Sequence, residues 1–356
     1  DAGDAPQSSE VGVDDPPAVA DAPPIFAMGQ KRLFTFGLFE FSLVAFAVVI
    51  GLAQQLDFLL PFGWNDVEAW FGQTEEQVET LRQVHWLTGI VGVISSLAAV
   101  IAVGVATGVI RTVLRDWDFR LERTAKGFRR RRGLLTHTDV VMPAHRVQAL
   151  VVGTRWFRKR FGWHRLSFIS LAQDSGSANH DVAPFAQMEE IAPIVKAAGF
   201  TLPRDTVQWG RPSARYYADR AVFFALLFGV PAMLTIALVD EDFGLWVGLG
   251  VAAIAIYTVI EQFWLWRVDR HGLDPEQVLS RHGWLAPRLQ IANRVKLHSV
   301  EIAQGPLARL RGYATLNFGL AGGTLRFRGL ELADAKRLRA AVLTSIASVD
   351  FARLPR

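Results

Sequence analysis

No cysteine occurs in the 356 residues, which excludes disulfides, thiolate metal sites and cysteine nucleophiles together. Lysine and arginine are missing from residues 1–30, where six acids (Asp1, Asp4, Glu10, Asp14, Asp15 and Asp21) stand among Ala and Pro. Such a stretch buries too little apolar surface to offset its ordering entropy, so it reads as a disordered tail or linker. It has no initiator Met and neither the basic start nor the apolar core of a signal peptide, and the chain is read as beginning partway through a longer protein. Enzymatic signatures are missing as well. Gly248-Leu249-Gly250 lies inside an apolar run, where it serves packing rather than phosphate binding. His137, His145, His164 and His180 match no metal-ligand spacing, and Asp174-Ser175-Gly176 reads as a hairpin turn rather than a nucleophile elbow. The expectation is a non-enzymatic protein with no cofactor and no metal.

What the chain has in quantity is apolar sequence, at 51% of its residues. Four runs approach the roughly 20 residues that a membrane helix needs: Leu33–Ala53, Trp86–Ile110, Ala221–Val239 and Gly244–Trp266. Charge divides between their connections. Lys31 and Arg32 precede the first run, and Asp57, Asp66, Glu68, Glu75, Glu76 and Glu79 follow it. Arginines crowd the chain after the second run, Arg211, Arg215 and Arg220 precede the third, and Asp240-Glu241-Asp242 separates it from the fourth. By the positive-inside rule this predicts a multi-pass protein of the inner (cytoplasmic) membrane with both termini cytoplasmic. Small-residue spacing at Gly104/Gly108 and Gly244/Gly248 permits close helix contact. Glu40 and Glu261 fall within the runs, and intramembrane acids are functional candidates by default.

The stretch Arg131–Phe168 recurs 150 positions later. Arg131, Gly133, Leu135, Gly162, Leu166 and Phe168 align without a gap on Arg281, Gly283, Leu285, Gly312, Leu316 and Phe318. Each copy follows a pair of apolar runs, shows strand-like alternation and ends in helical spacing, which predicts a repeated unit of six or seven short antiparallel strands plugged by a helix.

The first copy carries Thr138-x-Val140-Val141-Met142-Pro143-x-x-Arg146-Val147-Gln148-x-Leu150, then Arg158-x-x-Phe161-Gly162-x-x-x-Leu166. In these residues the chain resembles the bacterial pleckstrin-homology-like membrane proteins, whose units alternate with transmembrane hairpins. The motif residues are Pro143, Arg146, Gln148 and Gly162; the second copy departs from them with Asn293, Lys296 and His298. The resemblance implies the β-roll fold, oligomerisation as one use of such units, and a frequent third unit that would precede this sequence.

The fold class expected is therefore an α-helical polytopic membrane protein, with four transmembrane helices and two cytoplasmic β-rolls each capped by a C-terminal helix. Its expected divisions are a tail (1–30), a first hairpin (31–112), a first roll (113–202), a linker with the second hairpin (203–266), a second roll (267–349) and a short tail (350–356).

One segment stands out as a candidate binding surface. In Arg155, Trp156, Phe157, Arg158, Lys159, Arg160, Trp163 and Arg165, cations interleave with aromatics beside a membrane anchor, and each cation near an anionic leaflet gains about 1 kcal/mol. With Arg129, Arg130, Arg131 and Arg132 the segment is expected to engage anionic lipid headgroups. Seating without lipid specificity, or contact with a protein partner or a second copy, are the competing readings. Nucleic acid is not expected at a membrane-tethered site. The leading function is a membrane-anchored binding or scaffold protein. The second is a subunit of a transport or envelope-stress complex whose helices form a path through Glu40 and Glu261.

Overall fold

The computed structural model describes residues 23–40, 85–170, 179–239 and 241–347. Most of the tail, the acidic connection from Asp57 to Glu79, residues 41–53 of the first apolar run, the Asp174-Ser175-Gly176 turn and the C-terminal tail lie outside them.

The first unit starts with β1 (Pro24–Ala27), α1 (Gln30–Leu38) and α2 (His85–Asp116). Then come β2 (Arg120–Thr124), β3 (Gly127–Arg132), β4 (Thr138–Pro143), β5 (Val147–Gly153), α3 (Trp156–Arg160), β6 (His164–Ser170), β7 (Asn179–Ala186) and α4 (Met188–Ala197). The second unit repeats this order with β8 (Trp209–Gly210), the helix pair α5 (Ala214–Leu238) and α6 (Glu241–Val268), and β9 (Arg270–Leu273). It continues with β10 (Gln277–His282), β11 (Arg288–Asn293), β12 (Ser299–Ala303), α7 (Pro306–Arg311), β13 (Tyr313–Leu320), β14 (Gly323–Glu331) and α8 (Leu332–Ala347).

The expected four-span helical class is corrected by this architecture. Antiparallel strands make up about 32% of the structure. Among the described residues, two helices are long and apolar enough to cross a membrane, Ala214–Leu238 and Gly244–Val268. Trp86–Ile110 is helical within α2 but is not one of the two. The helix entering Leu33–Ala53 stops at Leu38, and Glu40 has already left helical geometry. In α5 and α6 only 6% and 17% of the most apolar window is buried, so their large apolar side chains face outward.

Three sheets organise the rest: β1-β2-β3-β4, β7-β6-β5-β11-β10-β9-β8 and β12-β13-β14. Period-two alternation builds them, clearest in β13, where Ala314, Leu316, Phe318 and Leu320 are buried on one side. The glycines shared by the two copies hold equivalent turns. Gly133 and Gly283 have φ of 117° and 94°, and Gly162 and Gly312 have φ of 73° and 77°, a region costly for any side chain.

The central sheet belongs to both units. β5 of the first pairs antiparallel with β11 of the second, with Leu150 opposite Ile291 and Val152 opposite Leu289. Ile291 and Leu279, from the second unit, are buried in the first unit's core, and Ala149 from the first is buried in the second's. Lys296, which stands at the Arg146 position of the repeat, adds a 2.6 Å bond from its ammonium to the Val147 carbonyl.

Both helix pairs leave and rejoin the sheets at neighbouring strands. Ala27 of β1 pairs with Arg120 of β2, and Trp209-Gly210 of β8 pairs with Gly272-His271 of β9. Small residues let the helices touch. A Cβ on Gly108 would lie 2.6 Å from the Glu40 carbonyl oxygen, one on Gly37 would lie 2.7 Å from Val109 Cα, and Gly244 and Gly248 are similarly crowded by α5. Gly108 in the first pair and both Gly244 and Gly248 in the second serve these contacts.

Candidate membrane-facing site

The basic–aromatic segment forms α3, a single-turn helix between β5 and β6. Its start is fixed by the second unit, since Trp156 N donates to the Leu285 carbonyl at 2.5 Å and Thr154 N to that of Pro287 at 3.0 Å. Gly162, with its positive φ, turns the chain into β6.

The helix divides its side chains sharply. Arg158 points inward and is 4% exposed; its guanidinium bonds the Glu40 carboxylate and lies 5.0 Å from the Phe36 ring centre. Arg165 reaches the same carboxylate at 3.1 Å. Glu40 sits two residues beyond α1, so this cluster pins α3 to the foot of the first helix pair. Burial works to raise the Glu40 carboxyl's pKa, but the Arg158 charge and hydrogen bond, helped by Arg165 and Arg155, more than offset it and hold the pKa below its ordinary value.

On the outer side, Trp156, Phe157 and Phe161 are 66%, 58% and 54% exposed. Arg155, Lys159 and Arg160 are exposed among them. Phe157 and Phe161 meet Phe39 at ring distances of 5.3 and 5.6 Å, and the exposed Phe34 and Leu38 of α1 extend the apolar surface along the same foot. A surface of this kind, rimmed by cations, fits the headgroup region of an anionic membrane.

The remaining predicted cations are drawn into bonds within the first unit. Arg129 bonds Asp139, Arg131 faces Glu122 and Asp139, and Arg132 reaches Asp116 at 2.9 Å. Arg130 is 3% exposed and donates to the Asp181 carbonyl; burial, reinforced by the Arg132 charge, pulls its pKa down to about 10. Trp163 stacks on Phe185 at 4.1 Å beneath Arg32. Of the motif residues, Pro143 ends β4, Arg146 is exposed on the following 3-10 turn, and Gln148 is buried with its side-chain oxygen unpartnered among the described residues. Glu261 lies on α6, lining a cavity with Tyr257, Arg220 and Trp284.

The second unit repeats the device in other residues. In α7, Leu307 and Leu310 are 52% and 84% exposed, and Arg311 pairs at 2.9 Å with Asp219 at the start of α5. Sequence reasoning missed Asp219, Phe39, Phe34 and Leu38, because only the folded chain brings the helix feet beside the short helices. Phe161 was legible from its place in the same aromatic run.

A duplicated β-roll closed by a helix, each copy opening with a helix pair at whose foot a short basic helix is fixed, defines a repeat-built binding protein. A family model for the bacterial PH domain matches residues 78–198 and again 224–345, about two thirds of the chain. The chain belongs to the bacterial PH domain family. No curated protein and no solved structure matches it.

Proposed function

We propose that this chain is a non-enzymatic, membrane-attached binding protein whose short helices α3 and α7 rest on the anionic cytoplasmic leaflet. The observation that carries the reading is the division of α3. Its one buried cation is bonded to the foot of the helix pair, while its two aromatics and remaining cations, with the flanking Arg155 and Phe161, face outward at that foot. α5 and α6 supply the attachment. Arg211, Arg215 and Arg220 flank the entry and Arg267 and Arg270 the exit, against Glu241 and Asp242 at the far end, so the ends joined to the rolls face the cytoplasm. Headgroup contact falls to Arg155, Lys159 and Arg160; Arg129 to Arg132 stabilise the roll. A transport path through Glu40 and Glu261 is less favoured, because Glu40 is engaged by two arginines of the roll.

The absence of cysteine makes the test clean. In the full chain, Phe157→Cys carrying a nitroxide is reconstituted in vesicles with and without anionic lipid. The expected result is collision with oxygen exceeding that with a water-soluble nickel chelate, more so with anionic lipid. A label as open to the aqueous relaxant as free nitroxide in both vesicles would refute the proposal.

A further inference from the structure

We propose that the second unit holds a binding site for a phosphate group carried on an apolar chain, at the foot of the α5–α6 pair. This rests on the lipid-binding reading above but uses a different site. A cavity of about 360 Å³ is lined by Arg270, Arg281, Arg288, Arg326 and Arg328, contributed by β9, β10, β11 and β14. Among the described residues none of the five guanidinium groups is in an ion pair with a carboxylate. The arginines repel one another, and burial with the charges of Arg211 and Arg281 lowers the Arg270 pKa.

The one carboxylate at the cavity, Asp269, is already committed. One oxygen accepts the Gly283 N–H at 3.0 Å, and the other bonds the Tyr217 hydroxyl and His282 Nδ1. Arg328 can only donate, so its 3.3 Å contact with His282 Nε2 makes that nitrogen the acceptor and places the imidazole proton on Nδ1, toward Asp269. The chain Tyr217–Asp269–His282–Arg328 thus holds a guanidinium in place without neutralising it.

Three of the lining residues, His282, Arg288 and Arg328, also line a second cavity of about 480 Å³. That chamber is walled by Tyr216, Phe224, Tyr257, Leu265 and Trp284, where the helix pair meets the β10–β11 turn, and Arg220 and Glu261 also line it. Trp284 stacks on Trp264 of α6 at 5.7 Å, and its indole N–H is buried without an acceptor among the described residues. Among the described residues, the guanidinium groups of Arg281, Arg288 and Arg326 and the Trp284 indole N–H are donors with no hydrogen-bond partner at this site. A phosphate supplies acceptor oxygens for the arginines, which bind it bidentately, while the aromatic chamber takes the first carbons of an attached chain. A simple inorganic anion would use the first cavity alone.

The test uses the detergent-solubilised full chain and native mass spectrometry, titrating dioctanoyl phosphatidic acid, dioctanoyl phosphatidylcholine and inorganic pyrophosphate. The variants are Arg288→Gln/Arg328→Gln, Arg281→Gln alone, and Trp156→Ser/Phe157→Ser/Phe161→Ser at α3, the last alone and combined with the first. The expected result is that phosphatidic acid binds more tightly than phosphatidylcholine. It should weaken about tenfold for each lost guanidinium, by the same factor with and without the α3 changes. Pyrophosphate bound as tightly as phosphatidic acid would overturn the role of the chamber and assign the arginines to a soluble phosphate. Unchanged phosphatidic acid binding in the double variant, with its melting profile and that of Arg281→Gln matching wild type, would overturn the site. Failure of the α3 reading leaves this selectivity intact, so the two can be told apart.

Discussion

Ile291→Ala is the sharpest test of the shared sheet. Ile291 belongs to the second unit by sequence, is 0% exposed, and is packed in the core of the first, opposite Leu150. Truncating a fully buried isoleucine costs about 2–5 kcal/mol in lost transfer energy and cavity. Because the cavity would open between β5 and β11, the loss should be felt on both sides. At the lower figure, amides that exchange only when the sheet opens should exchange about 30-fold faster. The repeat provides a matched control: Val141 occupies the same strand position 150 residues earlier and is 46% exposed. Val141→Ala should change stability by no more than about 0.5 kcal/mol. Hydrogen exchange on the detergent-solubilised full chain would compare peptides from β6 and β7 with those from β13 and β14. Acceleration confined to residues 270–347 would refute a joint core, as would equal effects of the two substitutions.

Glu40→Gln should release α3 from the foot of the helix pair, costing about 2 kcal/mol by leaving the buried Arg158 charge poorly paired; unaltered exchange at Trp156–Arg160 would count against it. The same bond carries a pH signature. With its folded pKa held below the ordinary value of 4.5, Glu40 contributes stability that is fully present above about that pH and lost as pH falls through the lower folded value. Local exchange around α3 should therefore rise on acidification below pH 4.5 in wild type and stay flat in Glu40→Gln. Gly37→Val should separate α1 from α2 at a cost of about 1–3 kcal/mol, because its Cβ would fall 2.7 Å from Val109 Cα, and a melting temperature equal to wild type would contradict the contact. Gly329→Ala meets both a φ of 64° and the Tyr216 ring 2.6 Å away, so it should lower stability by about 1–3 kcal/mol, read by the same melting assay.

Much of each roll was legible because its signals are local. The strand-like alternation of the repeated unit is plain in β13, Tyr313–Leu320, and Gly322 in the following turn has φ of 110°. Identical glycines at Gly162 and Gly312 mark identical backbone needs. Apolar length was a weaker guide, since length and composition describe a helix without saying what stops it; α1 ends where Glu40 meets two arginines more than 100 residues away. The arginine run on β3 shows a related limit. Its carboxylate partners, Asp116, Glu122 and Asp139, come from α2, β2 and β4, and sequence charge counts do not show which cations a fold will neutralise. The cationic cavity was invisible for the converse reason, its arginines being scattered singly over four strands.

The strand pairing at the feet of α5 and α6 has a mechanical consequence. β8 and β9 clamp the two ends together, with Trp209 opposite Gly272 and Gly210 opposite His271, so the helices cannot scissor apart at their base. A bilayer that thins or thickens around an embedded helix pair is met by tilt. With α5 and α6 embedded as proposed, tilt would not be absorbed by a hinge between the strands and would swing the attached roll as a lever. The angle between the central sheet and the membrane plane would then follow bilayer thickness, turning a property of the lipid into an orientation of the roll.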